Sequence, residues 1–297
     1  MKFSILFLLI ILFCSVAKAT EFKFLKEPLI YTEPMANPRT PSMGISINTS
    51  HYLGQRVGYI NGSLGKNFPL IAMINEDFKL QLGIEAGTWI TLGYDAGTFP
   101  LITQDFLFAF PISFRHKGFS GAFKFNHISA HLGDGYDRLL KKSLSNFEKE
   151  KLDEKERLLD EDGLSIRLTD PKVYSRDFVS IHGAYEYNFG ELYIKHHAQL
   201  GYAHKIIPEN LGRWFIGGGI ETKYKTNYFS PYYYQDITWN EDVDCVDYSG
   251  QLGGYIKESS DNLFNIRIAI TGYYGSDRRG QMFGRKLSEI GIGFFIQ

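Results

Sequence analysis

The strongest constraint on the fold of this 297-residue chain is a period-two alternation of apolar and polar side chains, in segments of about ten residues. After Phe78, mostly apolar residues from Leu80 to Ile90 alternate with polar or small residues from Lys79 to Gly87. Successive side chains of a β-strand point to opposite faces, so this segment forms a strand with one apolar face. The same pattern begins again near Phe106, Val179, Trp214 and Phe264. The alternation therefore predicts a chain built mainly from β-strands.

The polar faces of these segments carry charges of both signs, at Glu85, Glu186, Glu221, Lys223 and Arg267. A soluble β-sandwich also alternates, but its dry core would hold such charges only in paired form. A closed barrel can instead line a wet or ion-paired lumen with them, while its continuous apolar faces meet lipid. We therefore predict an all-β fold, a transmembrane antiparallel up-and-down β-barrel of about 12 strands.

The N-terminal residues 1–19 resemble a secretory signal peptide. They combine Lys2, an apolar stretch over residues 5–14, and small residues at Ala17 and Ala19. Removal of this peptide would leave Cys245 as the one cysteine, so an intrachain disulfide is not expected. We expect export and residence in the outer membrane of a Gram-negative cell.

Residues 20–41 contain four prolines, which prevent pairing as a central strand. We interpret them as a periplasmic lead-in segment, with packing inside the barrel as a plug as the alternative. Residues 42–297 then form the barrel. Because outer-membrane barrels have short periplasmic turns and long external loops, the longest connection, residues 132–176, is expected outside the cell. Within it, residues 143–163 are dense in Glu and Lys and predict a solvated surface helix.

Residues 119–131, FSGAFKFNHISAH, place chemically capable side chains at the end of an apolar strand. His127, Ser129 and His131 share one face with the phenylalanines that precede them, so they should face lipid near the outer boundary of the membrane. A histidine beside a serine can act as a base that activates a nucleophile. The third, orienting group could be Asp177 or Asp134.

The His-x-Ser pair on an outward strand face resembles the catalytic pair of outer-membrane phospholipase A and of the barrel lipid A deacylases. This local resemblance implies an acyl hydrolase with Ser129 as nucleophile and His127 as base. The phospholipase continues with Asn-Gly-Arg-Ser, where this chain has Ala130, His131 and Leu132. Calcium is therefore considered only under the hydrolase alternative, and no other cofactor or metal is expected.

A broader resemblance extends over most of the chain. The strings HISAHLGDGYDR (residues 127–138) and GYYGSDRRGQMFGRK (residues 272–286), with the ending GIGFFI, resemble a bacterial outer-membrane family catalogued as domain of unknown function 1207. That family tends to show Ser-His-Leu-Gly-Asp-Glu, and here Ala130 and Gly135 replace its first and last members. The resemblance implies the fold and the localisation without an established activity. The C-terminal strand also resembles the signal read by the barrel assembly machinery, which is an expected partner.

Three functional classes follow from these observations. A structural barrel or small pore is the first; a lipid-facing acyl hydrolase and a surface-interaction protein acting through residues 132–176 are the alternatives. The expected partners are outer-membrane lipids and lipopolysaccharide. A net charge of −1 gives no electrostatic basis for binding nucleic acid.

Overall fold

The computed structural model describes residues 21–25, 28–52, 55–94, 97–136, 173–256, 265–283 and 285–296. The predicted signal peptide and the predicted loop helix lie outside these ranges. Among the described residues, no helix is long and apolar enough to cross a membrane.

Twelve antiparallel strands close into a barrel, which confirms the predicted fold and strand number. The strands are β2 (Met43–Tyr52), β3 (Gln55–Ile74), β4 (Phe78–Leu92), β5 (Leu101–His116), β6 (Phe119–Leu132), β7 (Tyr174–Phe189), β8 (Leu192–Ile207), β9 (Trp214–Tyr224), β10 (Phe229–Asn240), β11 (Cys245–Ile256), β12 (Ile266–Ser276) and β13 (Lys286–Ile296). Each strand pairs with its neighbour in sequence, and pairing of β13 with β2 closes the barrel. A short strand before them, β1 (Glu21–Phe24), pairs with the last residues of β3.

The alternation of the sequence becomes an inside and an outside of the barrel. On β5, Phe106, Phe108 and Phe110 are exposed on the outer surface, whereas the residues that alternate with them, Asp105, Leu107 and Ala109, are buried. Each apolar face thus points away from the lumen, and each polar face lines it. This is the arrangement of a barrel whose outer surface contacts lipid.

Tight turns connect the strands at one end of the barrel. β5 and β6 are joined by Lys117 and Gly118, and β7 and β8 by Gly190 and Glu191. Gly190 has φ +58°, a conformation that glycine adopts without a side-chain clash. Since periplasmic turns are the short ones, the outward residues at the other end of β6 lie toward the external side.

The proline-rich residues 28–41, here called the lumenal segment, lie inside the barrel and not in the periplasm as the favoured interpretation had them. Tyr31 in this segment is 1% exposed and packs with Ala122 and Ala184 of the wall. The side chain of Gln81 bonds the backbone at both Pro28 and Ile30. The physical reason is that a proline-rich chain cannot join the sheet, so polar side chains of the lumen wall satisfy its backbone groups.

Candidate functional site

The outward face of β6 carries the side chains singled out in the sequence. Phe125, His127 and His131 are exposed there and Ser129 is half-buried, whereas Asn126 is buried on the lumen side. The strand runs through this region in unbroken register with β5 and β7. The alternation of side chains along the strand predicted that the two histidines and the serine lie on the lipid-facing side, and they lie there in the structure.

An acidic partner for His127 comes from the neighbouring strand. Asp177 of β7 lies directly opposite His127 in the β6–β7 register. The Nδ1 atom of His127 lies 2.5 Å from Oδ1 of Asp177, and both side chains are partly exposed to the outside. A carboxylate accepting from Nδ1–H leaves the Nε2 lone pair of a neutral imidazole free to accept a proton. Asp134, the other candidate, is exposed in the turn after β6 and makes no described contact with His127.

Ser129 lies two residues beyond His127 on the same face, opposite Phe106 of β5 and Ser175 of β7. Within the described residues, no hydrogen bond joins the Ser129 hydroxyl to His127. Catalytic hydrogen bonds are often open in the absence of substrate and close when it binds. His131 packs edge-on against Phe106, with ring centroids 5.7 Å apart, and takes no part in the His127–Asp177 contact.

The lumen holds a second set of polar contacts, around the lumenal segment. Lys124 of β6 lies 2.5 Å from the carboxylate of Glu33 and 2.7 Å from that of Glu85. Two strands further along the wall, Lys195 of β8 donates to the Thr32 carbonyl at 2.9 Å and pairs with Glu221 at 3.2 Å. Lys124 and Lys195 are both buried, so each is compensated by carboxylates or carbonyls as burial requires.

The external end of the lumenal segment meets the connection between β12 and β13, whose residues 277–283 are here called the outer loop. Arg39 donates to Asp105 of β5 and to the backbone carbonyl of Arg278. The amide of Gly280 donates to the same Asp105 carboxylate at 2.8 Å. The outer loop therefore folds into the mouth of the barrel and contacts the lumenal segment there.

A cavity of about 170 Å³ lies on the external side of the lumenal segment. Arg39, Arg176 and Asp242 are among the residues that line it, and Arg176 pairs with Asp242 at 3.5 Å. Asp242 belongs to the loop between β10 and β11, and burial raises the pKa of its carboxyl. The cavity wall thus holds a buried ion pair next to apolar side chains such as Leu107 and Phe215.

Metal ligation has no local basis in the described part of the chain, where no group of three His, Cys, Asp or Glu side chains is positioned to hold an ion. The adjacent histidines of β8, His196 and His197, face opposite sides of the wall, as successive residues of a strand do. His196 stacks on Tyr187 outside the barrel, and His197 bonds Asp236 at 2.9 Å in the lumen.

The sequence analysis favoured a periplasmic position for residues 20–41 and gave packing inside the barrel only as the alternative. The four prolines of residues 20–41 indicated a segment outside the sheet, and the charges of both signs on the polar strand faces indicated a lumen lined with polar groups. Taken together, those two signals favour a segment inside the barrel.

The solved structures with a similar fold include proteins of the outer membrane. Outer membrane phospholipase A from Escherichia coli aligns with a TM-score of 0.51 and 11% identity, over 92% of this chain and 95% of that chain. The Salmonella typhi outer membrane phospholipase dimer with bound calcium aligns with a TM-score of 0.48 and 12% identity, over 92% of this chain and 95% of that chain. LpxR from Salmonella typhimurium aligns with a TM-score of 0.35 and 7% identity, over 85% of this chain and 99% of that chain.

At 11% identity, the likeness to the Escherichia coli phospholipase shows the fold alone, which is that of a protein of the outer membrane. No curated protein sequence matches the chain. The family model described as "Protein of unknown function (DUF1207)" matches residues 16–296. This match extends over nearly the whole chain, which therefore belongs to that family.

Proposed function

We propose that this outer-membrane barrel is a lipid-facing acyl hydrolase in which Ser129 is the nucleophile, His127 the general base and Asp177 the orienting group. The observation that carries the proposal is the contact between His127 and Asp177 on the outer surface, beside a serine on the same strand face. Nucleophile, base and orienter are the three roles of a hydrolytic triad, and they are recognised by geometry rather than by sequence order.

In the proposed reaction, Ser129 Oγ attacks the carbonyl carbon of an acyl ester while Nε2 of His127 takes the hydroxyl proton. Asp177 holds the imidazole through Nδ1 and stabilises the imidazolium that forms. The imidazolium then gives its proton to the leaving alcohol, and an acyl-serine remains. A water molecule, deprotonated by His127, attacks this acyl group, which releases the fatty acid and restores the serine.

The surroundings of the triad support a lipid as the substrate. Below His127, the outward face of β6 presents Phe125, Phe123 and Phe119. His127 is eight residues beyond Phe119, which at a rise of about 3.3 Å per residue and a tilt of about 40° corresponds to roughly 20 Å along the barrel axis. With Phe119 next to a short periplasmic turn, His127 lies near the outer interface, where the ester groups of outer-leaflet lipids are found.

The other two functional classes have less support. A passive pore needs an open lumen, whereas the lumenal segment is held in this lumen by Lys124 and Lys195 of the wall and by its own Arg39, which bonds Asp105. A surface interaction through the long loop stays a prediction, because residues 137–172 lie outside the described part of the chain.

The proposal is tested by fatty-acid release from phospholipid and from lipopolysaccharide, with calcium and with a chelator. The refolded wild type is compared with Ser129→Ala and His127→Ala, and folding is checked by heat-modifiable migration. Ser175→Ala is the matched control, since Ser175 lies opposite Ser129 on the same outer face. We expect release by the wild type and the control and loss in the two other variants. A folded wild type that releases no fatty acid from any of these lipids contradicts the proposal.

A further inference from the structure

A β-bulge in β8 presents two basic side chains beside the proposed triad. The β7–β8 register shifts between Asp177 and Phe178, which pair with Lys205 and Ala203 and leave His204 as the extra residue. His204 and Lys205 are both exposed, whereas Ala203 before them and Ile206 after them are buried. Bulges of this kind redirect a side chain next to functional sites.

The backbone of the bulge is held by specific contacts. Arg213 donates from Nη1 to the carbonyls of Ala203, at 3.1 Å, and of His204, at 2.8 Å. Glu241 in turn accepts from the backbone amides of Arg213 and Trp214, at 2.8 and 3.0 Å. The two basic side chains therefore project from a fixed backbone.

The bulge lies at the depth of lipid headgroups and next to the triad. Tyr202 and Trp214 form an aromatic pair on adjacent strands just before it, with ring centroids 4.7 Å apart. Such aromatic residues mark the membrane interface of barrels. Lys205 stands opposite Asp177 on β7, and Asp177 stands opposite His127 on β6. One row across three strands thus carries the base, its orienter and a lysine.

We propose that His204 and Lys205 form a binding site for the phosphate of a lipid, and, resting on the proposed function, that the substrate is a phosphate-bearing acyl ester. A lysine ammonium binds phosphate as a point charge, and the neighbouring histidine adds a ring N–H group as a second hydrogen-bond donor. Glycerophospholipids and lipid A share the necessary chemistry, because each carries phosphate on the unit that also carries its acyl esters. The two basic side chains would hold that unit with an ester over Ser129.

Lipid binding without turnover tests the site independently of hydrolysis. In the Ser129→Ala background, the lipid that stays bound to the detergent-extracted barrel is measured by native mass spectrometry after loading with phosphatidylglycerol, lipid A or phosphate-free diacylglycerol. We expect His204→Gln combined with Lys205→Met to lower retention of at least one phosphate-bearing lipid about tenfold and to leave diacylglycerol unchanged. The phosphate-bearing lipid whose retention falls more is then the source of the phosphate that the site binds.

The matched control is Lys286→Met. Lys286 is an exposed outward lysine at the external end of β13, five strands from β8. Its replacement should change nothing, and Lys205→Arg, which keeps the charge, should retain the phosphate lipid. Equal losses in the Lys286 and Lys205 variants, or no loss in either, overturn the phosphate site.

Hydrolysis by proteins with an intact Ser129 separates the two proposals. If the site is correct, the double variant raises KM for the phosphate-bearing lipid and leaves kcat nearly unchanged. If the wild type hydrolyses no lipid but its retention of the phosphate-bearing lipid depends on Lys205, the result contradicts the hydrolase and supports the phosphate site. If the double variant hydrolyses and retains the lipid as well as the wild type does, the result supports the hydrolase and contradicts the phosphate site.

Discussion

Arg39 donates from Nη1 to Oδ2 of Asp105 at 2.9 Å, and so ties the lumenal segment to the barrel wall. The same carboxylate accepts from the backbone amide of Gly280 at 2.8 Å, which ties the outer loop to the wall as well. Asp105 is buried, and its two donors come from parts of the chain that lie far apart in sequence. One carboxylate thus holds both the lumenal segment and the outer loop.

Replacing Asp105 with Asn should weaken both attachments, because an amide oxygen is a poorer acceptor than a carboxylate. Hydrogen bonds to charged groups contribute about 1.5–3 kcal/mol each, so the free energy of unfolding should fall by a few kcal/mol. Urea unfolding in lipid vesicles measures this change. Asp77→Asn, which removes the same charge from an exposed turn, is the control and should unfold like the wild type. Matching midpoints for the two variants would rule out the proposed role of Asp105.

Replacing residues 28–41 with a Gly/Ser linker of equal length should raise ionic conductance in planar bilayers several-fold. The lumenal segment crosses the lumen and binds Lys124 and Lys195, and its removal leaves a polar wall that water can fill. Heat-modifiable migration shows whether the barrel still closes. The plug assignment fails if a correctly folded variant conducts no better than the wild type.

Asp177→Asn should lower kcat for fatty-acid release by a factor of up to about 10⁴, as the equivalent change does in a serine protease triad with its geometry intact. The amide can no longer select the His127 tautomer with a proton on Nδ1 or stabilise the imidazolium. Asp134→Asn is the control, since Asp134 makes no described contact with His127. A similar decrease in both variants would argue against an orienting role for Asp177.

Acidification should release the β8–β9 connection at Glu241. The backbone amides of Trp214 and Arg213 donate to the Glu241 carboxylate and lower its pKa below the ordinary value. A lowered folded-state pKa means that this stabilisation is complete above the ordinary glutamate pKa and disappears as the pH falls through the lowered value. The amide chemical shifts of Arg213 and Trp214 should follow that titration. In Glu241→Gln they should stay constant over the same range; a titration that persists there would assign the effect to another group.

The fold of the chain could be predicted from local sequence because its signal is local. Alternation within each strand, seen between Leu80 and Ile90, decides which side chains face lipid without reference to any other strand. The same alternation predicted that His127 and Ser129 lie on the outer face, and the number of alternating segments predicted about twelve strands. These features depend on residues close together in the chain.

The partners of the site depend on tertiary structure. His127 and Asp177 are 50 residues apart, and only the β6–β7 register selects Asp177 over Asp134. The bulge that exposes His204 beside Lys205 is a one-residue shift between two paired strands, and alternation within one strand does not encode it.

The location of the lumenal segment likewise required the closed barrel. Its prolines exclude it from the sheet, but only the closed wall surrounds it, so that Lys124 and Lys195 bond it from one side and Gln251 of β11 from another. The sequence by itself determined a lipid-facing barrel with a His-x-Ser pair at its outer rim. The tertiary structure decided what fills the lumen and which side chains surround that pair, because both depend on contacts between strands that are distant in sequence.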